Sequence, residues 1–517
     1  MKIMLSDPIV EVDGWRTEMN ELGAFKLKQR KTPEQLKQER QLLRDKYGAD
    51  TNRRINPMTS IPHTCITLDK DDQSKAYFLP GLWPRVKNYL DTMHIEYTVE
   101  DKRNPDIRPK LDYSAFKGVE LRKDQDTLIA LVSMLDCGIF ECPTGFGKSF
   151  ILSLLCKAYP TLNIVVTTSS VQVVETLYEY LCKEIPGQVG ILGGGKELVA
   201  GKRVIVSTLK SLENIPPEKV QLLFVDECHS VGLNTAGQAL MQFMWARRFG
   251  FSASPIRNDG TGRMLEAILG PVVLKVSYQE ATDNGMVTPL KYLMLPCTQC
   301  PNIAKSPNIP EVVCKRWSYW ANNARNNVIR QFVYQLKKVY DGQILLMVDT
   351  LEHLVHLHRL LPFFTPAYYG KSDMVDLRKK FPKEKYPGLN LDAYSMNEKQ
   401  LNRVRGAFAK GTLRYVLSTK VFRQGVNFSH LSVLIRADGT VSGIEGTQVP
   451  GRLSRLDEDK PVAYLIDIAD MFSPWAENRY KARVKLYNEQ GWSQTTMEEM
   501  LDDLGRRPKT NSKEPVA

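Results

Sequence analysis

The segment Pro143-Thr144-Gly145-Phe146-Gly147-Lys148-Ser149 places two glycines, a lysine and two hydroxyls within seven residues, between an apolar run and a stretch of helical periodicity. Glycines let the backbone curl so that successive N–H groups face an anion, and the helix that follows adds its positive N-terminal end. Thr144, Gly145 and Gly147 would shape such a loop, Lys148 would reach the β- and γ-phosphates of a nucleotide, and the Ser149 hydroxyl would sit on Mg²⁺. The familiar G-x-x-x-x-G-K-[ST] spacing calls for a glycine at 142, where this chain has Cys142. A glycine three residues later compensates.

A second cluster lies in "LLFVDECHS", residues 222–230, where Asp226, Glu227, Cys228 and His229 are consecutive. Those side chains could ligate zinc, build a thiol nucleophile, or hold magnesium on a phosphate. A hydrolytic phosphate loop needs a metal-holding acid and a group that aligns water. After that loop the third reading fits, with Asp226 on Mg²⁺ and Glu227 orienting or deprotonating water.

Both clusters need a scaffold that brings strand ends together. Apolar, β-branched runs at 137–142, 163–168, 203–208, 222–227 and 249–254 alternate with helical stretches such as "KSFILSLLCKAY", which predicts a parallel sheet of βαβ units. The alternation pauses over roughly 275–325 and resumes at 343–349, 415–420, 433–438 and 463–470. The spacing predicts an α/β chain with two tandem parallel-sheet domains at 116–285 and 326–475, joined by a connector at 286–325. Residues 1–115 read as a small, separate α+β N-terminal domain, including a helix opened by Thr32, Pro33 and Gln35. Residues 476–517 read as a C-terminal helix and a polar, disordered tail.

At 517 residues, 43% hydrophobic and 25% charged, the chain is globular and too long for one core. Nine cysteines, odd in number and scattered, argue against a disulfide framework. No apolar run approaches the ~18–20 residues that cross a bilayer, and the N-terminal apolar stretch is broken by Asp7 and Pro8. A cytoplasmic protein with no membrane partner is expected. The formal charge is +12, of which about +10 falls in residues 281–517, which favours a polyanionic partner or serves solubility alone.

Taken in order and spacing, the phosphate loop, "VDECH", "SAS" (252–254) and "QVPGRLSR" (448–455) resemble the motifs of superfamily 2 helicases over roughly residues 118–470. "LRKDQ" (121–125) resembles the adenine-reading element, and "STKVFRQGVNF" (418–428) the motif linking the second domain to nucleotide and nucleic acid. "VDECH", "LGGGKE" and Q-x-x-G-R-x-x-R further resemble the UvsW-type phage branch-migration helicases.

The resemblance implies two RecA-like domains that clamp ATP and Mg²⁺. Gln125 and Arg122 would lie at the base, and Gly425 and Asn427 near the nucleotide, with Asn427 standing where many relatives have Asp. Arg455 would be the arginine finger, with Arg452 and Gln448 as further contacts from the same motif. His229, Ser252 and Ser254 would couple hydrolysis to movement. Thr167, Thr168, Thr208 and Thr419 would touch DNA phosphates without reading sequence. The implied activity is an ATP-dependent helicase, acting as a monomer on single-stranded, forked or branched DNA beside replication or recombination proteins. Translocation along duplex DNA without strand separation, and RNA unwinding, are the alternatives.

Three signals carry less. Cys297, Cys300 and Cys314 have no clear fourth ligand for zinc. His353 and His356 lack a carboxylate partner and fit a packed helix better than a metal site. "FLPGLWPRVKNYL" could stack single strands but more simply fills the N-terminal core.

Overall fold

A computed structural model describes the chain except residues 7–8, 31–33, 35–37, 39–57, 232–234, 254–261, 301–309, 369–373, 395, 423–429, 442–449, 458–459 and 508–517. The helix expected to open at Thr32 and the expected C-terminal tail fall largely outside the described residues. Two compact units are present, one of Met1–Cys142 with Gly147–Val276, the other of Ser277–Ala517 with Pro143–Phe146. Among the described residues no helix is long and apolar enough to cross a membrane.

The first unit begins with strands β1 (Lys2–Leu5), β2 (Val10–Asp13), β3 (Ala24–Arg30), β4 (Met58–Thr64), β5 (Ile66–Leu68), β6 (Lys75–Phe78) and β7 (Thr98–Asp101). Five of them form a sheet in the order β5-β6-β2-β1-β7, while β3 and β4 pair as a separate antiparallel ribbon. Helix Trp83–Thr92 buries Val86 and Leu90 against Ile3, Val12 and Phe78. This is the expected α+β module, but it is not separate. Ala267 of helix Gly262–Leu269 belongs to the same core. Gly81 approaches that helix so closely that an added Cβ would lie 2.2 Å from Glu266 O. Arg85 clamps Glu266 with two bonds of 2.7 and 3.0 Å.

The large sheet of this unit holds β8 (Cys137–Glu141), β9 (Ile164–Thr168), β10 (Val189–Gly193), β11 (Lys196–Leu198), β12 (Val204–Thr208), β13 (Leu222–Asp226), β14 (Arg247–Ser252) and β15 (Val272–Lys275). Their order is β11-β10-β12-β9-β13-β14-β8-β15, and every pairing is parallel except β10 with β11. Strands such as β9 and β13 are buried along their whole length, which is why they read as continuous apolar runs. The order sets β14 between β13 and β8, so the strand ending at Ser252 separates the strand ending at Asp226 from the one feeding the phosphate loop.

The second unit has a fully parallel sheet, β16 (Leu290–Cys297), β17 (Ile344–Met347), β18 (Thr365–Ala367), β19 (Tyr415–Ser418), β20 (Val433–Arg436), β21 (Ala463–Asp470) and β22 (Ser493–Gln494), in the order β18-β19-β17-β20-β21-β16-β22. Two parallel α/β sheets in tandem are as expected from the sequence. The boundaries differ. β16, inside the stretch read as a connector, pairs with β21 over eight residues. β22 and helix Met497–Arg506 finish the unit beyond 475, with Met500 and Leu504 in its core. Eight residues of β16 ending in Pro296-Cys297 look like loop only when read without their partner strand.

Candidate nucleotide site

β8 ends at Glu141, and the chain turns through Gly145 (φ 95°) and Gly147 (φ 92°) into helix Lys148–Ala158. Both glycines hold left-handed backbone that costs any residue with a Cβ. At Gly147 a Cβ would also meet Gln125 Nε2 at 3.0 Å. Lys148 Nζ donates back to Cys142 O at 3.4 Å, while Ser149 is exposed in the first turn. The Cys142 thiol is buried, and burial pushes its pKa up to about 12, so it stays neutral. Cys142 thus fills the glycine position as a small apolar side chain.

Asp226 closes β13 and Glu227 follows at φ 52°, ψ 47°, a left-handed conformation unusual for a non-glycine residue. Asp226 is buried and its Oδ1 has no hydrogen-bond partner among the described residues. Burial, then the neighbouring Glu227 charge, raise its pKa to about 6, and Lys148 pulls it down. A desolvated, under-coordinated carboxylate beside a second acid is what a hard cation would relieve, so the residues fit Mg²⁺. His229 Nδ1 lies 2.9 Å from Ser252 Oγ and 3.4 Å from Glu227 Oε2, bridging Glu227 to the adjacent strand. Cys142 N donates to Ser252 O at 2.9 Å. Ser252 therefore touches both the acid side and the root of the phosphate loop. Cys228 is buried, and burial first raises its thiol pKa far above the thiolate range, so nucleophile chemistry finds no support there.

Arg122 and Gln125 form a tight turn at the start of helix Gln125–Met134. Arg122 N donates to Gln125 Oε1 at 3.0 Å and Gln125 N to Arg122 O at 3.1 Å, with Asp124 at φ 68°. Gln125 is buried and Arg122 exposed.

The strand-end threonines divide. Thr167 is fully buried and its hydroxyl donates to Ser207 O at 3.2 Å, inside the sheet. Thr208 caps the turn Leu209–Asn214 through Ser211. Thr168 Oγ1 is buried with no hydrogen-bond partner among the described residues. Thr419, half-buried, bonds through its backbone N–H to Ala367 O.

In the second unit Arg455 follows the turn Pro450–Arg452, and burial lowers its pKa. Its loop is tied by Thr288, which belongs to none of the motifs. Thr288 N donates to Ser454 O at 2.7 Å, Thr288 Oγ1 to Arg455 O at 3.0 Å, and Tyr278 OH to Thr288 O at 2.6 Å. The Arg452 side chain, Gln448, Gly425, Asn427 and Ser254 lie outside the described residues. Cys297 donates to Gln299 O and Cys300 to Trp317 O, and no metal-ligating cluster exists among the described residues. His353 is buried, with Nε2 3.1 Å from Asn326 Oδ1, as a packing residue would be.

The family described as "Type III restriction enzyme, res subunit" matches residues 119–257. The chain is 21% identical over 426 residues to "Putative helicase 22" of Sulfolobus islandicus filamentous virus, covering 75% of this chain and 71% of that one. It is 28% identical over 219 residues to the "DNA 3'-5' translocase XPB2" of Sulfurisphaera tokodaii, covering 41% of this chain and 48% of that one. Among solved structures, Saccharomyces cerevisiae Dbp5 bound to RNA and ADP BeF3 has a TM-score of 0.51 at 13% identity, with 78% of this chain and 100% of that chain covered. Bacteriophage T4 UvsW covers 96% of this chain and 98% of that chain at 14% identity and a TM-score of 0.39. These matches make the chain similar to helicase and translocase motors.

Proposed function

We propose that this chain uses ATP and Mg²⁺ to move along DNA and to unwind or branch-migrate forked and branched DNA. The observation that carries the reading is Asp226, buried, lacking a hydrogen-bond partner at Oδ1 and set between the charges of Glu227 and Lys148. Mg²⁺ held by Asp226 and Ser149 would neutralise charge on the transferring phosphoryl group. Lys148 leaves Cys142 O for the β/γ-phosphates, the loop N–H groups hold the phosphate chain, and Gln125 with Arg122 reads the base. Glu227 aligns water, with His229 passing its state to Ser252. Arg455 is the arginine finger in this reading, with Arg452 and Gln448 from the same motif beside it, and Gly425 and Asn427 add nucleotide contacts. Thr168 is the strand-end hydroxyl best suited to a DNA phosphate, with Thr208 and Thr419 as further contacts. The viral relative favours action in a host cytoplasm.

A second reading, translocation on duplex DNA without strand separation, is favoured by the relative named as a DNA 3'-5' translocase. ATPase and strand-release assays on single-stranded, forked and four-way-junction DNA, duplex DNA and RNA separate them. Branched DNA should stimulate turnover most and release strands. Duplex stimulation without release would favour the second reading, and stimulation by RNA alone would overturn both.

A further inference from the structure

The second unit carries a basic pad that none of the motif residues explains. Residues 374–410 hold nine Lys and Arg against four Asp and Glu, +5 of the formal +12. The pad is a built element. Phe381 packs on His356 and Tyr386 (ring centroids 4.8 and 5.1 Å), the Arg359 guanidinium covers Tyr386 at 4.6 Å, and His358 Nδ1 meets Tyr394 OH at 2.7 Å. All of these anchor helix Met374–Lys380 and turn Leu391–Tyr394 to helix Leu351–Leu360.

Its cations fall into two sets. Lys380 pairs with Glu352 and Asp376, Arg378 with Asp392, and Arg405 is buried. Lys379, Lys383, Lys385, Lys399, Arg403 and Lys410 are exposed and make no ion pair among the described residues. The first set holds the pad together, and the second leaves its charge to solvent.

The pad is also wired to the segment 418–428. Arg405, on helix Glu398–Ala409, donates to Val421 O, and Phe408 packs on Phe422 with ring centroids 6.0 Å apart. We propose that this pad is a second nucleic-acid surface, gripping the phosphate backbone of a DNA arm outside the motif-lined path and steadying the turn Lys420–Phe422 while it does so. Long, exposed side chains without ion-pair partners suit a sequence-blind polyanion, since base reading calls for fixed bidentate donors. The inference rests on the DNA-motor reading above.

The test uses the full chain with Lys379→Gln, Lys383→Gln and Lys385→Gln combined, and separately with Lys399→Gln and Arg403→Gln. These side chains are exposed, so thermal unfolding should match the parent. Binding to a forked DNA is followed over a range of KCl concentrations by fluorescence anisotropy. Each lost phosphate contact removes about 0.9 from the slope of log K against log[salt]. The triple variant should flatten the slope by about 2–3 and weaken fork binding roughly tenfold or more, with ATPase in the absence of DNA unchanged. An unchanged slope in both variants overturns the pad, and would be the outcome if the charge served an acidic protein partner. If the parent chain itself shows no DNA stimulation, the motor reading fails instead.

Discussion

The two large sheets share an architecture but treat charge in opposite ways. In the first, Asp226 is desolvated at a strand end, crowded by Glu227 and left with an oxygen unsatisfied. In the second, the ends of β20 and β21 bury three arginines and three aspartates that satisfy one another. Arg325 meets Asp470 at 2.7 Å, Arg483 meets Asp467 at 2.7 Å, Arg436 meets Asp438 at 3.1 Å, and Tyr487 OH bonds Asp467 at 2.6 Å. Their spare donors go to Ala437 O and Thr440 O, bracing the turn after β20. Uncompensated charge awaits a ligand, and compensated charge holds a shape.

Breaking the compensated side should have the largest effect on stability. Asp470→Asn leaves Arg325 and Arg483 with one anion fewer in a dry interior, and removing one partner of a buried pair costs about 3–5 kcal/mol. Urea unfolding should show that loss, and a change within about 1 kcal/mol would mean that the network tolerates a net charge.

The mirror experiment on the first unit should go the other way. The folded pKa of Asp226 is raised to about 6 from an ordinary 3.8. Between about pH 4 and 6 the metal-free folded chain therefore binds a proton that the unfolded chain has lost, and stability falls as pH rises through that window. Asp226→Asn should remove this slope and stabilise the metal-free protein at neutral pH by on the order of 1–3 kcal/mol, while abolishing ATPase. Thermal unfolding against pH, with and without Mg²⁺, checks it. A destabilised variant would mean that attraction to Lys148 outweighs desolvation.

This contrast also explains what could be read from sequence. The candidate site could be proposed from sequence because its residues are local: the loop at 143–149 and the pair 226–227 each sit within one strand-to-loop junction. The alternation of buried runs exposed both sheets for the same reason, since strands such as β9 and β13 are apolar along their length. β16 and β22 were hidden because their identity depends on pairing with distant residues. The arginine network was hidden too, because Arg325, Arg436 and Arg483 look like surface cations until three aspartates from other elements surround them. A strand-end hydroxyl such as that of Thr167 reads the same whether it faces a ligand or the next strand.

Thr288 is the smallest of these effects and the sharpest test of the second unit's role. Its hydroxyl donates to the carbonyl of Arg455 itself, so Thr288→Val keeps the shape and the Thr288 N–H bond to Ser454 while deleting one bond to the loop. One hydrogen bond is worth about 1 kcal/mol, so a loop held less firmly should lower kcat about three- to tenfold. KM for ATP should stay within about twofold, because Thr288 is not among the proposed phosphate contacts. Thr288→Ser restores the donor and should restore kcat. Loss of kcat in both variants, or a drop that tracks the thermal midpoint, would make Thr288 a packing residue. A kcat that falls only in the valine variant would assign compensated geometry in the second unit a direct share in turnover.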